Sequence, residues 1–171
     1  MIRYILVTTA LILLVIISGC GQNQLTPTVM NESKIFQKAE DIVYEGLNSE
    51  DPKIQVYAIE AGKNGNEEML EKIKGLLFNP YVPVRFSAAL ALGEAKHGSA
   101  EDELEKLMTE DPDENVKMAA AYGLDQLHEK NDHIFMVEKK VRSQDNKIRA
   151  NAVMLLGRYG DDSAREELKW A

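Results

Sequence analysis

The stretch NPYVPVRFSAALALG at residues 79–93 decides the fold of this 171-residue chain. It opens with an Asn-Pro turn, continues with a β-branched and a basic residue at Val84 and Arg85, and ends in small residues. Alanine has the highest helix propensity, and small side chains let neighbouring helices approach each other closely. The stretch therefore predicts a turn followed by a helix that packs tightly against other helices.

The same pattern recurs along the chain. The leading β-branched residues lie at positions 54, 84, 116 and 148, which gives steps of 30, 32 and 32 residues. In the first copy, Val56 could replace Ile54 as the leading residue. A second series of apolar residues falls between these positions, inside charged amphipathic stretches: Ile73, Leu104, Met136 and Leu168. The interleaving predicts two helices per period, and only a stack of such pairs buries a continuous core.

Short polar residues and glycines mark the predicted helix ends. Side-chain oxygens of Asp and Asn accept backbone hydrogen bonds in turns and at helix starts. Gly93 and Gly157 fall where the Ala-rich helix is expected to end, so we expect left-handed caps at both. The turn residues expected to accept such bonds are Asp51, Asn79, Asp111 and Asp145.

The turn followed by Val-Arg, Ala-Ala and Ala-Leu-Gly resembles bacterial HEAT repeats, particularly the short HEAT-like repeats named after phycobilisome lyases. The resemblance implies an all-α fold, an α–α solenoid of the armadillo-like kind, with first helices on one face and second helices on the other. It also implies a ladder in which the Val-Arg arginine pairs with the turn Asp of a neighbouring repeat. Three residues match this arginine position, whereas Gln55 departs from it. The matching residues are Arg85, Lys117 and Arg149.

The amino terminus has a different character. No charged residue occurs between Arg3 and Glu32, and residues 5–17 are almost wholly apolar. A basic start, a short apolar run and then small residues are typical of a secretory signal peptide. The residues Ile17-Ser18-Gly19-Cys20 resemble the lipobox of bacterial lipoproteins, which implies cleavage before Cys20, diacylglycerol on its sulfur and often an acyl group on the new amino group. The alternative is an uncleaved signal anchor with an incidental cysteine.

These patterns predict three regions. Residues 1–19 form a signal peptide, residues 20–33 a lipidated cysteine with a flexible tether, and residues 34–171 a helical repeat domain. Within that domain we expect a degenerate cap at 34–48 and repeats at about 49–78, 79–109, 110–142 and 143–171.

Composition and motifs argue against catalysis. The chain has 20 Lys+Arg against 28 Asp+Glu, a net charge of −8, which disfavours binding to nucleic-acid phosphates. A single cysteine excludes a disulfide within the chain. Only one of the three histidines, His128, precedes a glutamate, whereas HEAT-like deoxyhypusine hydroxylases bind iron through several His-Glu pairs. A weak metal site from His128, His133 and Asp132 is a further alternative. We expect no catalytic residue, no metal and no cofactor beyond the covalent lipid.

The sequence therefore predicts a non-catalytic, lipid-anchored scaffold in the bacterial cell envelope. It would bind a protein or peptide partner through its second helices, at the outer membrane or at the outer face of the cytoplasmic membrane. The alternatives are an accessory subunit of an envelope modifying or assembly enzyme and a metal-dependent HEAT-like enzyme. The candidate contact residues are Glu67, Glu71, Glu101, Glu105, Glu138 and Glu167.

Overall fold

The computed structural model describes residues 32–160 together with residues 165 and 169. The chain divides into two units, Met1–Ile35 and Phe36–Ala171, and the packing described below belongs to the second unit. Cys20, the predicted signal peptide, most of the predicted tether and Glu167 lie outside the described residues.

Within the described ranges, the regular structure is entirely helical, which confirms the predicted all-α class. Two short 3-10 helices, Leu76–Phe78 and Gly98–Ala100, occur between the α-helices. The α-helices are α1 Glu32–Leu47, α2 Pro52–Gly62, α3 Glu67–Gly75, α4 Val82–Glu94, α5 Glu101–Glu110, α6 Glu114–His128, α7 Ile134–Glu138 and α8 Asn146–Tyr159. None of these described helices is long and apolar enough to cross a lipid bilayer.

The helices alternate between two roles. The first helices, α2, α4, α6 and α8, pack against one another in series. The second helices, α3, α5 and α7, each pack against the first helix of the following pair. Because no pair can cover its own apolar surface alone, the stack is held together by contacts between successive pairs.

The predicted turn residues begin the helices or close the turns before them. Asp51 accepts a hydrogen bond from the Lys53 amide at 2.8 Å, and Asp145 accepts one from the Lys147 amide at 2.7 Å. Each of these two carboxylates therefore satisfies a backbone donor that the first helical turn leaves unpaired. The other two turn residues accept the backbone amide two positions further on: Asn79 from Tyr81 at 2.9 Å, and Asp111 from Asp113 at 2.9 Å.

The position of each cap fixes the repeat register. The first helices have N-caps at Asp51, Tyr81, Asp113 and Asp145. Three residues after each cap comes the leading β-branched residue, so Ile54 rather than Val56 is the equivalent of Val84. Ile54 is half-exposed although Val84 is fully buried, because Ile54 begins the first complete pair.

Small residues allow α4 and α6 to touch through their backbones. Ala88 and Ala89 on α4, and Ala119 and Ala120 on α6, are fully buried. A Cβ atom built on Gly93 would stand 2.5 Å from the carbonyl oxygen of Gly123 and would also overlap its Cα. Such overlap leaves no room for any side chain at position 93.

The predicted left-handed caps at Gly93 and Gly157 are wrong. Both glycines lie inside helices, since α4 continues to Glu94 and α8 to Tyr159. The left-handed residue after α8 is Gly160, with φ 66°. Gly93 is needed for close helix contact, and a repeat pattern read along one chain cannot distinguish that need from a cap.

Candidate functional site

A ladder of side chains joins the starts of the first helices. Arg85 donates from Nε to Asp111 Oδ2 at 2.7 Å and from Nη2 to Oδ1 at 3.0 Å. Asp111 is only 5% exposed, and its hydrogen bonds raise the pKa of the Arg85 guanidinium. Arg85 also donates to the Asn79 carbonyl at 3.0 Å. Together with its bidentate contact to Asp111, this bond links the turn before α4 to the turn before α6.

An uncharged pair takes the place of the ladder in the first repeat. Gln55 departs from the arginine pattern, and the turn residue opposite it is Asn79. Asn79 Nδ2 donates to Gln55 Oε1 at 3.1 Å, and Gln55 Nε2 donates to the Leu47 carbonyl at 3.4 Å. The two departures from the family pattern therefore compensate each other, because one amide satisfies the other.

The ladder does not continue to the last repeat. The structure shows no ion pair between Lys117 and Asp145, both of which are described, and Asp145 accepts backbone amides instead. Arg149 donates to the Ser143 carbonyl at 2.6 Å. Near the starts of α6 and α8, Asn151 instead donates to Asn115 at 2.9 Å.

The predicted contact residues lie mostly on α3 and α5. Glu67, Glu71 and Glu105 are exposed, whereas Glu101 is partly buried. Glu138 is on α7, where its exposed neighbour Lys139 adds a positive charge, so the surface there is no longer acidic. We define the acidic patch as the exposed carboxylates of the two neighbouring second helices. Its members are Glu67, Glu68, Glu71, Asp102, Glu105 and Glu110.

His97 brings two of these glutamates together. It precedes the 3-10 helix before α5 and is only 5% exposed. Its Nε2 lies 3.0 Å from Glu71 Oε1, and its Nδ1 lies 3.6 Å from Glu67 Oε1. The Ser99 hydroxyl donates to Glu71 at 2.5 Å and lies 2.7 Å from His97 Nε2. Ser99, His97 and Glu71 therefore form one hydrogen-bonded cluster, in which the Ser99 hydroxyl contacts both the imidazole and the carboxylate.

Lys74 sets the charge of this cluster. Its Nζ lies 2.8 Å from Glu71 Oε2, the oxygen that faces away from His97. The Lys74 ammonium, the Ser99 hydroxyl and His97 together lower the pKa of Glu71 to about 2, and Lys74 contributes most. Glu71 is therefore ionised at neutral pH, and its Oε1 is the oxygen directed to the histidine.

The other two histidines have separate partners. His128 Nε2 lies 3.1 Å from Glu101 Oε1. His133 Nδ1 lies 2.7 Å from Asp125 Oδ1, and its backbone amide donates to the same carboxylate. The structure thus does not bring His128, His133 and Asp132 together as the sequence-based alternative required.

Asp125 is a buried carboxylate that the sequence did not single out. It is 1% exposed and also accepts a hydrogen bond from the Tyr159 hydroxyl at 2.8 Å. The Tyr159 ring packs edge-on against Tyr122, with ring centroids 5.1 Å apart. Asp125 therefore has a structural role: its hydrogen bonds hold both the loop after α6 and the end of α8 against α6.

The first helices carry a second, more apolar surface. An open groove of about 310 Å³ lies between α2 and α4, where Tyr57 is 75% exposed beside Pro83. The sequence did not single out Tyr57, because an aromatic residue at helical spacing fits a core position as well as an exposed one. A further groove of about 490 Å³ continues from Pro83 across α6 to Lys147 and Asn151.

Comparison with known proteins identifies the repeat. A family model described as HEAT repeats matches residues 40–125, half of the chain. No curated protein matches the chain. The match covers α2 to α5 completely and most of α6. This part of the stack contains the ladder, the close contact of α4 with α6 at Gly93 and the acidic patch.

Proposed function

The chain belongs to the HEAT-repeat family, and on that premise we propose that it is a membrane-anchored lipoprotein that serves as a non-catalytic protein-interaction scaffold. Proteins of this fold hold side chains from successive helices on one extended surface. The partner would be a protein or peptide of the bacterial cell envelope with a basic contact surface.

The acidic patch is the observation that carries this proposal. The exposed carboxylates on α3 and α5 produce a negative electrostatic potential that would attract and orient a basic partner. Contacts between the repeats hold the patch in place: Lys74 donates to the Ser99 hydroxyl at 3.2 Å, and the Lys106 ammonium lies 5.7 Å from the centre of the Phe78 ring. The patch is therefore supported by α3 and α5 together.

Charge reversal tests the proposed surface. We expect crosslinking in intact cells, followed by mass spectrometry, to recover a reproducible partner with the unmodified chain. The double variant Glu68→Lys/Glu105→Lys should lose that partner, because both carboxylates are exposed and belong to the patch. Glu45→Lys, an exposed glutamate on α1, is the matched control and should keep it. A partner that survives the double variant would refute the choice of surface.

Membrane attachment is the second part of the proposal and rests on the lipobox-like residues that end at Cys20. Two acyl chains give stable attachment, whereas a single chain binds a bilayer only marginally. Residues 20–33 would then act as a tether between the lipid and the repeats. We expect Cys20→Ser to move the protein from the membrane fraction to the soluble fraction. Retention in membranes after detergent-free washing would instead support the uncleaved anchor.

A further inference from the structure

The cluster of Glu67, Glu71 and His97 has the composition of a metal site. Glu67 and Glu71 are four residues apart on α3, so their side chains lie on the same face of that helix. His97 comes from the following repeat and faces both of them. One ligand atom from each residue lies within 4.8 Å of the other two.

The spacing suits a small divalent ion. Zn²⁺ binds imidazole nitrogen and carboxylate oxygen at about 2.0–2.2 Å, so neighbouring ligand atoms around a tetrahedral ion lie roughly 3.3 Å apart. His97 Nε2 and Glu71 Oε1 are already 3.0 Å apart. Glu67 now lies 3.6 Å from the other ring nitrogen, Nδ1, so its largely exposed carboxylate has to rotate towards Nε2 to join Glu71 at one ion, a movement that leaves the core undisturbed. His97 is buried and held, which fixes the orientation of the imidazole ligand.

The surrounding charges also favour a cation. Lys74 contacts Glu71 through Oε2, whereas Oε1 faces His97 and accepts a hydrogen bond from the Ser99 hydroxyl, which would have to rotate away when an ion binds. Lys74 pairs with Glu71 and also lies in the field of Glu67 and Glu103, so carboxylates outnumber ammonium groups in this part of the surface. A divalent ion would balance this excess of negative charge.

We propose that Glu67, Glu71 and His97 bind a divalent transition-metal ion of the Zn²⁺ class between the first and second repeats. The ion would crosslink α3 to the segment before α5 through ligands from both. Three protein ligands leave one tetrahedral position for water. The site departs from the sequence-based expectation of no metal. It shares Glu67 and Glu71 with the acidic patch, but metal binding does not require a protein partner, so each proposal can fail without the other.

The test is a titration of the full-length chain with Zn²⁺ alone, measured by calorimetry and by competition with a chromogenic chelator. The chain carries Cys20→Ser in every case, so that a thiolate cannot bind the ion. We expect one Zn²⁺ per chain. Glu71→Gln, Glu67→Gln and His97→Gln should each weaken binding by about tenfold or more, because even the loss of a group that only supports a ligand costs that much.

The chain offers a matched control in its other His–Glu contact. Glu101→Gln removes the partner of His128 and should leave the affinity unchanged. Because Glu67 and Glu71 are exposed, their variants keep the fold even if His97→Gln does not, and circular dichroism checks this directly. Absence of stoichiometric binding, or an equal affinity in the parent chain and both glutamate variants, would overturn the proposal. Weakening by Glu101→Gln would place the ion at His128 and would overturn it as well.

Discussion

The close approach of α4 and α6 at Gly93 predicts that Gly93→Ala destabilises the protein, although alanine is the better helix former. The added methyl group would stand 2.5 Å from the Gly123 carbonyl oxygen, whereas ordinary van der Waals contacts begin near 3.4 Å. The obstructing atoms belong to the backbone and cannot rotate away. The two helices must therefore move apart by about 1 Å, which also loosens the packing of the buried alanines around the crossing.

Two opposing effects set the size of the change. Overpacking a core costs up to about 3 kcal/mol, and the clash with backbone places Gly93→Ala at that upper end. The gain from replacing glycine by alanine inside a helix is about 1 kcal/mol. The net loss is therefore about 2 kcal/mol, which lowers the melting temperature of a chain of this size by about 4–8 °C.

Thermal unfolding followed by circular dichroism at 222 nm measures this effect, and Gly157 provides the matched control. Gly157 also lies inside a helix, but a Cβ built there has no neighbour within 4 Å. Gly157→Ala should therefore raise the melting temperature, because only the propensity gain remains. If Gly93→Ala were neutral or behaved like Gly157→Ala, the backbone contact between α4 and α6 would be refuted.

Three further predictions concern the ladder and the helix ends. Arg85→Ala should lower the free energy of unfolding, measured by chemical denaturation, by about 3–5 kcal/mol, because it leaves the buried Asp111 carboxylate without its cation. A double-mutant cycle with Asp111→Ala should give a coupling energy well above zero, and additive effects of the two substitutions would contradict the ion pair. Gln55→Arg alone should lower the free energy of unfolding, and adding Asn79→Asp should restore much of that loss by creating an ion pair like that of Arg85 and Asp111. If the double variant is no more stable than Gln55→Arg, the two positions do not interact. Glu129 has a φ of 54°, in the left-handed region that glycine adopts without strain. Glu129→Gly should therefore raise the melting temperature by relieving about 1 kcal/mol of backbone strain, even though it removes the exposed ion pair with Lys96. A lower melting temperature would show that the ion pair outweighs the strain.

The helix pairs could be predicted from the sequence because their signals are local. A turn residue, a β-branched residue three positions after the cap and a run of alanines all lie within one helix, and each acts through neighbours a few residues away. The structure therefore has its first helices beginning close to positions 54, 84, 116 and 148. The role of Gly93 could not be predicted in this way, because its neighbour Gly123 lies on another first helix and is 30 residues away.

The His97 cluster was missed for the same reason. His97 and Glu71 are 26 residues apart, and nothing in the local sequence of either predicts the contact. A useful signal does exist in the spacing of the ladder. Gln55 meets Asn79 at a separation of 24 residues, and Arg85 meets Asp111 at a separation of 26. His97 and Glu71 share that repeat-to-repeat separation, so polar residues 24–26 positions apart are one class of pair that this stack brings together, beside more distant pairs such as Asn115 and Asn151.

Stability and surface chemistry are divided between the two sets of helices. The ladder residues, the glycine crossing and the buried alanines belong to the first helices and the turns before them. The acidic patch belongs to α3 and α5, whose exposed carboxylates contribute little to folding, because surface charges are each worth a few tenths of a kcal/mol. The second helices α3 and α5 can therefore carry a predominantly negative surface, whose mutual repulsion would be costly in a core, while the first helices keep the stack together. This division is the physical reason to look for the partner on the second-helix face.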